Sequence, residues 1–152
     1  MYYAIVATLM FAFPLLSIGF ESLARGASLD AAIVAKWFAF WSIGWRLLLA
    51  GARQIIQPAY TARHILGLSS DDSLLLVREL GFANVAIGVL GIASLFVPEW
   101  TFAATLAGGI FYAFAGANHV LQTNRNRLQN VAMVSDLFVA SMLLGAVILA
   151  AL

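Results

Sequence analysis

The sequence predicts an all-α protein: a polytopic transmembrane bundle of five spanning helices with a short interfacial helix and no soluble domain. The chain is 63% hydrophobic and only 10% charged, whereas soluble domains are about 45–50% apolar and about 25% charged. A domain of this size leaves too much surface exposed to hide so many apolar side chains from water. The apolar residues are also gathered into stretches of about 20 residues, the length that crosses a bilayer as a helix.

The apolar stretches are separated by short polar connections and together predict a single transmembrane domain covering residues 1–152. They are 2–20, 31–51, 77–97, 100–121 and 131–151. The alternative is a four-span arrangement in which the first segment lies at the membrane interface. The first basic residue is Arg25, whereas a signal peptide opens with positive charge, so we interpret the first segment as a retained helix. Pro14 predicts a distortion within it.

The long connection between the second and third helices contains two further signals. Pro58 suits a first helical turn and Gly67 a helix end, which predicts a short interfacial or re-entrant helix between them. Ser70 followed by Asp71 and Asp72 is typical of a helix start, because acidic side chains offset the positive end of the helix dipole. The third spanning helix is therefore predicted to begin near Asp71.

Basic residues are distributed unequally between the two membrane faces. With five spans, the N-terminal face carries Arg53, Arg63, Arg78, Arg125 and Arg127, and the opposite face carries Arg25 and Lys36. Basic residues favour cytoplasmic loops. We therefore predict a bacterial inner-membrane protein with a cytoplasmic N-terminus and an external C-terminus.

Polar side chains are concentrated in the half of the bundle that is predicted to face the cytoplasm. They lie near the end of helices two and four and near the start of helices three and five. Charged groups inside lipid cost on the order of a few kcal/mol each, so they usually pair or face a cavity. We therefore predict a polar pocket in this half. Its candidate residues are Arg46, Arg53, Gln54, Arg78, Glu79, Asn84, Tyr112, Asn118, His119 and Asp136.

These residue types suggest roles. Glu79, His119 and Asp136 are candidate catalytic acid–base groups, and the remaining seven are candidate ligand-binding residues. Arg46 would bind an anionic head group or pair with a carboxylate. Glu79 is expected at a similar depth, so we predict that the two pair directly or through one other member of the layer. The structural alternative is that Arg46 snorkels, Glu79 neutralises an arginine and Asp136 caps or pairs.

Small residues form a continuous face on the third helix. Gly81, Asn84, Gly88 and Gly91 follow one another at spacings of three and four residues. Such faces allow close approach between helices. We predict tight packing within the chain in preference to a dimer face or a lipid-tail groove.

Other features exclude classes of chemistry and partner. The chain has no cysteine and a net charge of +1, so it has no disulfide or thiolate site, and no nucleic-acid partner is expected. His64 and His119 are predicted on the same face, but they lack supporting ligands, so neither haem nor a metal site is expected.

Two short motifs resemble the DoxX-like membrane proteins. Gly44-Trp45-Arg46 running on to Gly51, followed by Pro58, looks like their opening helix, and 78–81 (Arg-Glu-Leu-Gly) is similar to their second helix. The resemblance covers roughly residues 40–152 as a four-helix unit, with the first helix as an addition. The chain also resembles small uncharacterised bacterial membrane proteins with an Arg-Glu-Leu-Gly-Phe-Ala-Asn pattern. The DoxX-like resemblance implies quinone-linked redox chemistry or a role not yet defined.

Three functions stay open from the sequence. The first is binding of, or action on, a membrane lipid, quinone or isoprenoid-like ligand in the polar pocket. The second is an accessory role in a homo-oligomer or with another membrane protein. The third is a small transporter, ranked last because transporter sites lie near the midplane between inverted repeats. No motif identifies a reaction.

Overall fold

The computed structural model describes residues 1–26 and 29–151, with the side chain of Arg25 also outside the described part. Within these ranges all regular structure is helical, and five helices are long and apolar enough to cross a membrane. They are α1 Tyr2–Ala24, α2 Ala31–Ile56, α3 Asp72–Ala93, α4 Pro98–Leu121 and α5 Arg127–Ala151. The predicted all-α bundle of five spans is confirmed.

Helices α2 and α3 pack along each other with their backbones in contact. A Cβ added at Gly51 of α2 would lie 2.6 Å from the carbonyl oxygen of Gly81. A Cβ at Gly88 of α3 would lie 2.6 Å from the backbone nitrogen of Leu48. The small-residue face of α3 therefore packs within the chain, as predicted, because a larger side chain would push the two helices apart.

Helices α4 and α5 form a second close pair, and α1 packs against α2 and α5. Phe11 of α1 stacks on Phe138 of α5 with ring centroids 4.7 Å apart. Phe38 and Ile43 of α2 are fully buried in the shared core. The bundle therefore has α2 near its centre, where this helix contacts all the others.

Two spanning helices depart from α-helical geometry at the level where they meet. The stretch Thr8–Ala12 of α1 is π-helical and directly precedes Pro14, which has no N–H to donate and whose ring crowds the carbonyl four residues earlier. The stretch Ala39–Trp45 of α2 is also π-helical. The Ser42 hydroxyl donates to the carbonyl of Leu9 at 3.2 Å, so the two π-helical stretches are joined directly.

The connections on the N-terminal face follow the sequence signals. The short helix between α2 and α3 covers Tyr60–Ile65, and Gly67 follows it at φ +71°, where glycine is favoured. The backbone N–H of Asp72 donates to the hydroxyl of Ser70 at 3.2 Å, so α3 begins at Asp72 as predicted. Asn126, in the α4–α5 connection, donates to the carbonyl of His64 at 3.2 Å and thereby ties the short helix to the bundle.

Candidate functional site: a polar cavity at the N-terminal face

A cavity of about 290 Å³ opens in the half of the bundle that carries the N-terminus. All five spanning helices and the short helix Tyr60–Ile65 contribute to its walls. We call it the polar cavity. The sequence-predicted site residues that line it are Arg46, Arg53, Gln54, Asn84, Tyr112, Asn118, His119 and Asp136. Residues far apart in the sequence are therefore brought to one site.

The two arginines come from successive turns on one face of α2. The Arg53 guanidinium lies 3.5 Å from the ring centre of Tyr60, and the Arg46 guanidinium lies 5.8 Å from the ring centre of Tyr2. Cations are attracted to aromatic faces in this arrangement. The Nε atoms of both arginines are buried without a hydrogen-bond partner among the described residues. Their aromatic contacts therefore leave hydrogen-bond donors unused.

One carboxylate faces these cations. Asp136, on α5, is only 8% exposed and interacts electrostatically with Arg46. No direct ion pair joins them within residues 1–26 and 29–151. The cavity thus contains two guanidinium groups and one carboxylate, so positive charge is in excess even when Asp136 is ionised.

A pair of buried amides connects α2 and α3 at the cavity wall. The side-chain nitrogen of Asn84 donates to the side-chain oxygen of Gln54 at 2.8 Å. Asn84 is only 3% exposed, and its Oδ1 atom has no partner in the described part of the chain. The amide pair is therefore only partly satisfied.

Helix α4 contributes a tyrosine, an asparagine and a histidine. The Tyr112 hydroxyl donates to the carbonyl of Ser42 at 2.5 Å, within the π-helical stretch of α2. His119 is buried, and its Nδ1 atom has no partner among the residues described. Asn118 is exposed and lies at the rim. Tyr112 therefore stabilises the wall, while His119 keeps an unused ring nitrogen.

Arg78 and Glu79 are not brought to this site. Both are exposed on α3 and neither lines the polar cavity. Within the described residues no ion pair links Glu79 to Arg46, so the predicted pairing is wrong. The two residues lie at a suitable depth, but α3 turns its small-residue face toward α2 and directs Glu79 outward.

Sequence reasoning missed the aromatic lining. Tyr2 and Tyr60 line the polar cavity beside the two arginines. Tyrosine near a membrane interface is so common that position alone does not single it out. The available signal was that tyrosines occur at the start of α1 and in the short helix, on the same face as the arginines.

The histidines do not meet at a common centre. His64 stacks on Tyr60 with ring centroids 5.2 Å apart and is not part of the cavity lining, unlike His119. Outside residues 27, 28 and 152, no group of three or more His, Cys, Asp or Glu side chains could hold a metal ion.

The fold and the cavity together define an integral membrane protein with an intramembrane polar site. The chain belongs to a family of unknown function, DUF6790, whose model matches residues 1–152. No curated protein matches the chain, and no solved structure does. The family match does not extend to the DoxX-like proteins, so that resemblance stays a hypothesis.

Proposed function

We propose that this protein binds the polar head of a membrane-resident amphiphile, a lipid, quinone or isoprenoid-like molecule, in the polar cavity. The observation that carries the proposal is the convergence of polar side chains from separate helices on one cavity, with several of their buried atoms unpartnered among the described residues. Ionisable groups held inside a membrane without partners are costly and usually mark a binding or transport path.

The size and lining of the polar cavity favour a head group over a whole lipid. Its volume of about 290 Å³ lies at the lower end of the range of about 300–1,000 Å³ for small-molecule sites. Apolar side chains such as Ile5, Leu49 and Phe111 are interleaved with the polar ones. This combination suits an amphiphile whose head enters the cavity while its tail stays in the bilayer.

The test fills the cavity and asks whether the bound amphiphile is lost. Ala115 lines the polar cavity, whereas Ala117, on the same helix, is exposed and does not. The protein is extracted with its surrounding lipid by an amphipathic polymer, and the associated molecules are identified by mass spectrometry. We expect wild type and the matched control Ala117→Phe to retain one amphiphile in stoichiometric amount and Ala115→Phe to lose it.

Equal retention by both variants would contradict the proposal. It would favour an accessory subunit whose lipid lies on the outer surface. Circular dichroism and size-exclusion chromatography of both variants establish that they are folded.

We also propose that the face with the polar cavity is cytoplasmic. Arg53 and Arg63 lie on this face with the basic α4–α5 connection, and basic loops are retained in the cytoplasm. Reporter fusions at Asp30 should be active outside, and those at Ser70 and Arg125 inside. The reverse pattern would place the ligand's head in the outer leaflet.

A further inference from the structure

We infer that the amphiphile carries a phosphate group, which the edges of Arg46 and Arg53 hold together. This inference rests on the proposed function and narrows its ligand class from amphiphiles in general to phosphorylated ones. It would exclude a neutral quinone as the ligand of the polar cavity.

The first argument is the charge of the cavity. Arg46 and Arg53 line it together with a single carboxylate, that of Asp136. The excess positive charge lies in a membrane-spanning segment, where an uncompensated cation is expensive. An anionic ligand lowers that cost, whereas a neutral head group does not.

The second argument is the geometry of the guanidinium groups. Tyr60 covers a face of the Arg53 guanidinium at 3.5 Å, and Tyr2 lies near that of Arg46 at 5.8 Å. Hydrogen bonds from a guanidinium run in its plane, along its edges. Both Nε atoms are buried with no partner in residues 1–26 and 29–151, so the edges of both side chains have donors available.

The third argument distinguishes phosphate from carboxylate. The two oxygens of a carboxylate are satisfied by the fork of one arginine. A phosphate group has additional oxygens and accepts from two guanidinium edges at once. Arg46 and Arg53 are seven residues apart on one helix face, about 10 Å along the axis, a separation that two long side chains can bridge by converging on one group.

The experiment compares head groups on constant acyl chains, with the full chain in a neutral maltoside detergent. The probes are dioleoylphosphatidylglycerol, dioleoylglycerol, oleate and inorganic phosphate, and binding is measured by native mass spectrometry. We expect one phosphatidylglycerol per chain and at least about tenfold weaker binding of dioleoylglycerol and oleate, the loss expected when a charge-assisted contact is removed.

Variants assign the effect to the two arginines. Arg46→Gln and Arg53→Gln should each weaken phosphatidylglycerol binding about tenfold. Arg46→Lys and Arg53→Lys retain charge without the planar fork and should give intermediate losses. The matched control is Arg127→Gln, on the same face but exposed and outside the cavity, which should change binding by no more than about twofold.

The outcomes separate this inference from the proposed function. Dioleoylglycerol or oleate binding as tightly as phosphatidylglycerol would overturn the phosphate class and leave amphiphile binding intact. An equal loss in Arg127→Gln would also overturn it, by showing general surface attraction. Inorganic phosphate binding as tightly as the lipid, with the same arginine dependence, would support the phosphate site and contradict an amphiphile as its ligand. Absence of binding by every probe would contradict both.

Discussion

The two ends of the bundle treat their charged side chains differently. On the face opposite the N-terminus, Glu21 of α1 is buried, and both of its carboxylate oxygens accept from the Lys36 ammonium of α2 at 2.9 Å. The indole N–H of Trp37 donates to the same carboxylate at 2.6 Å. This cluster is closed on itself and joins two helices.

At the polar cavity the same types of side chain are left incomplete. Arg46 and Asp136 face each other without a direct ion pair in the described part of the chain. The cavity at the other end, of about 180 Å³, is lined almost wholly by alanine, threonine and apolar side chains. The comparison teaches that a buried charge by itself does not identify a site, whereas buried charge with unused hydrogen-bonding capacity around a cavity does.

The largest expected effect comes from breaking the closed cluster. Glu21→Gln removes the counter-charge of Lys36 and should lower stability by about 3 kcal/mol, at the lower end for a buried pair because Lys36 is partly exposed. The thermal unfolding midpoint in detergent measures the loss. Glu99→Gln, exposed near the same face, is the control and should leave the midpoint unchanged. A Glu21→Gln protein as stable as wild type would remove one side of the comparison.

A smaller loss is expected at the one satisfied hydroxyl of the polar cavity. Tyr112→Phe leaves the Ser42 carbonyl without this donor and should cost about 1–2 kcal/mol. Thermal unfolding again provides the measurement, and Tyr3→Phe, at an exposed tyrosine of α1, provides the control. A neutral Tyr112→Phe would show that this hydrogen bond does not stabilise the α2–α4 contact.

Arg46→Gln should have little effect on stability in lipid-free detergent or should raise it, by up to about 1 kcal/mol. The guanidinium has no ion-pair partner among the described residues, so its removal relieves a desolvation cost without breaking a bond. A fall comparable with that of Glu21→Gln would instead identify Arg46 as part of a structural network. Unfolding midpoints of the two variants, measured side by side, decide between these outcomes.

The smallest effect is expected at Glu79. Because its side chain is exposed on α3, Glu79→Gln should change stability by less than about 0.5 kcal/mol. Combined with Arg46→Gln, its effect should be additive. A double-mutant cycle that departs from additivity would restore the ion pair that the structure does not contain.

Much of the fold follows from local signals. Ser70 and the two acidic residues after it mark the start of α3, and Gly67 marks the end of the short helix. The depth of Asn84, His119 and Asp136 was also predictable, because each residue advances an α-helix by about 1.5 Å. Depth along an axis is a property of the sequence once the spans are known.

The direction in which a side chain points is harder to obtain. Glu79 precedes Gly81 by two residues, about 200° around the helix, so the small-residue face and Glu79 could not both face α2. Combining these two signals would have placed Glu79 outward. The aromatic neighbours of the arginines offered no comparable signal, because the positions of α1 and the short helix depend on how the bundle packs.

The sequence by itself determined that the chain crosses a membrane five times and that its polar side chains collect near the N-terminal face, because apolar length and residue depth are local properties. Only the tertiary structure decided which of those side chains share a cavity. That outcome depends on the rotation of each helix, and the rotation is set by close contacts such as Gly51 against Gly81. It also depends on the π-helical stretches, which let the Ser42 hydroxyl meet Leu9 and the Tyr112 hydroxyl meet the Ser42 carbonyl. These contacts form between residues distant in sequence, so no local pattern encodes them.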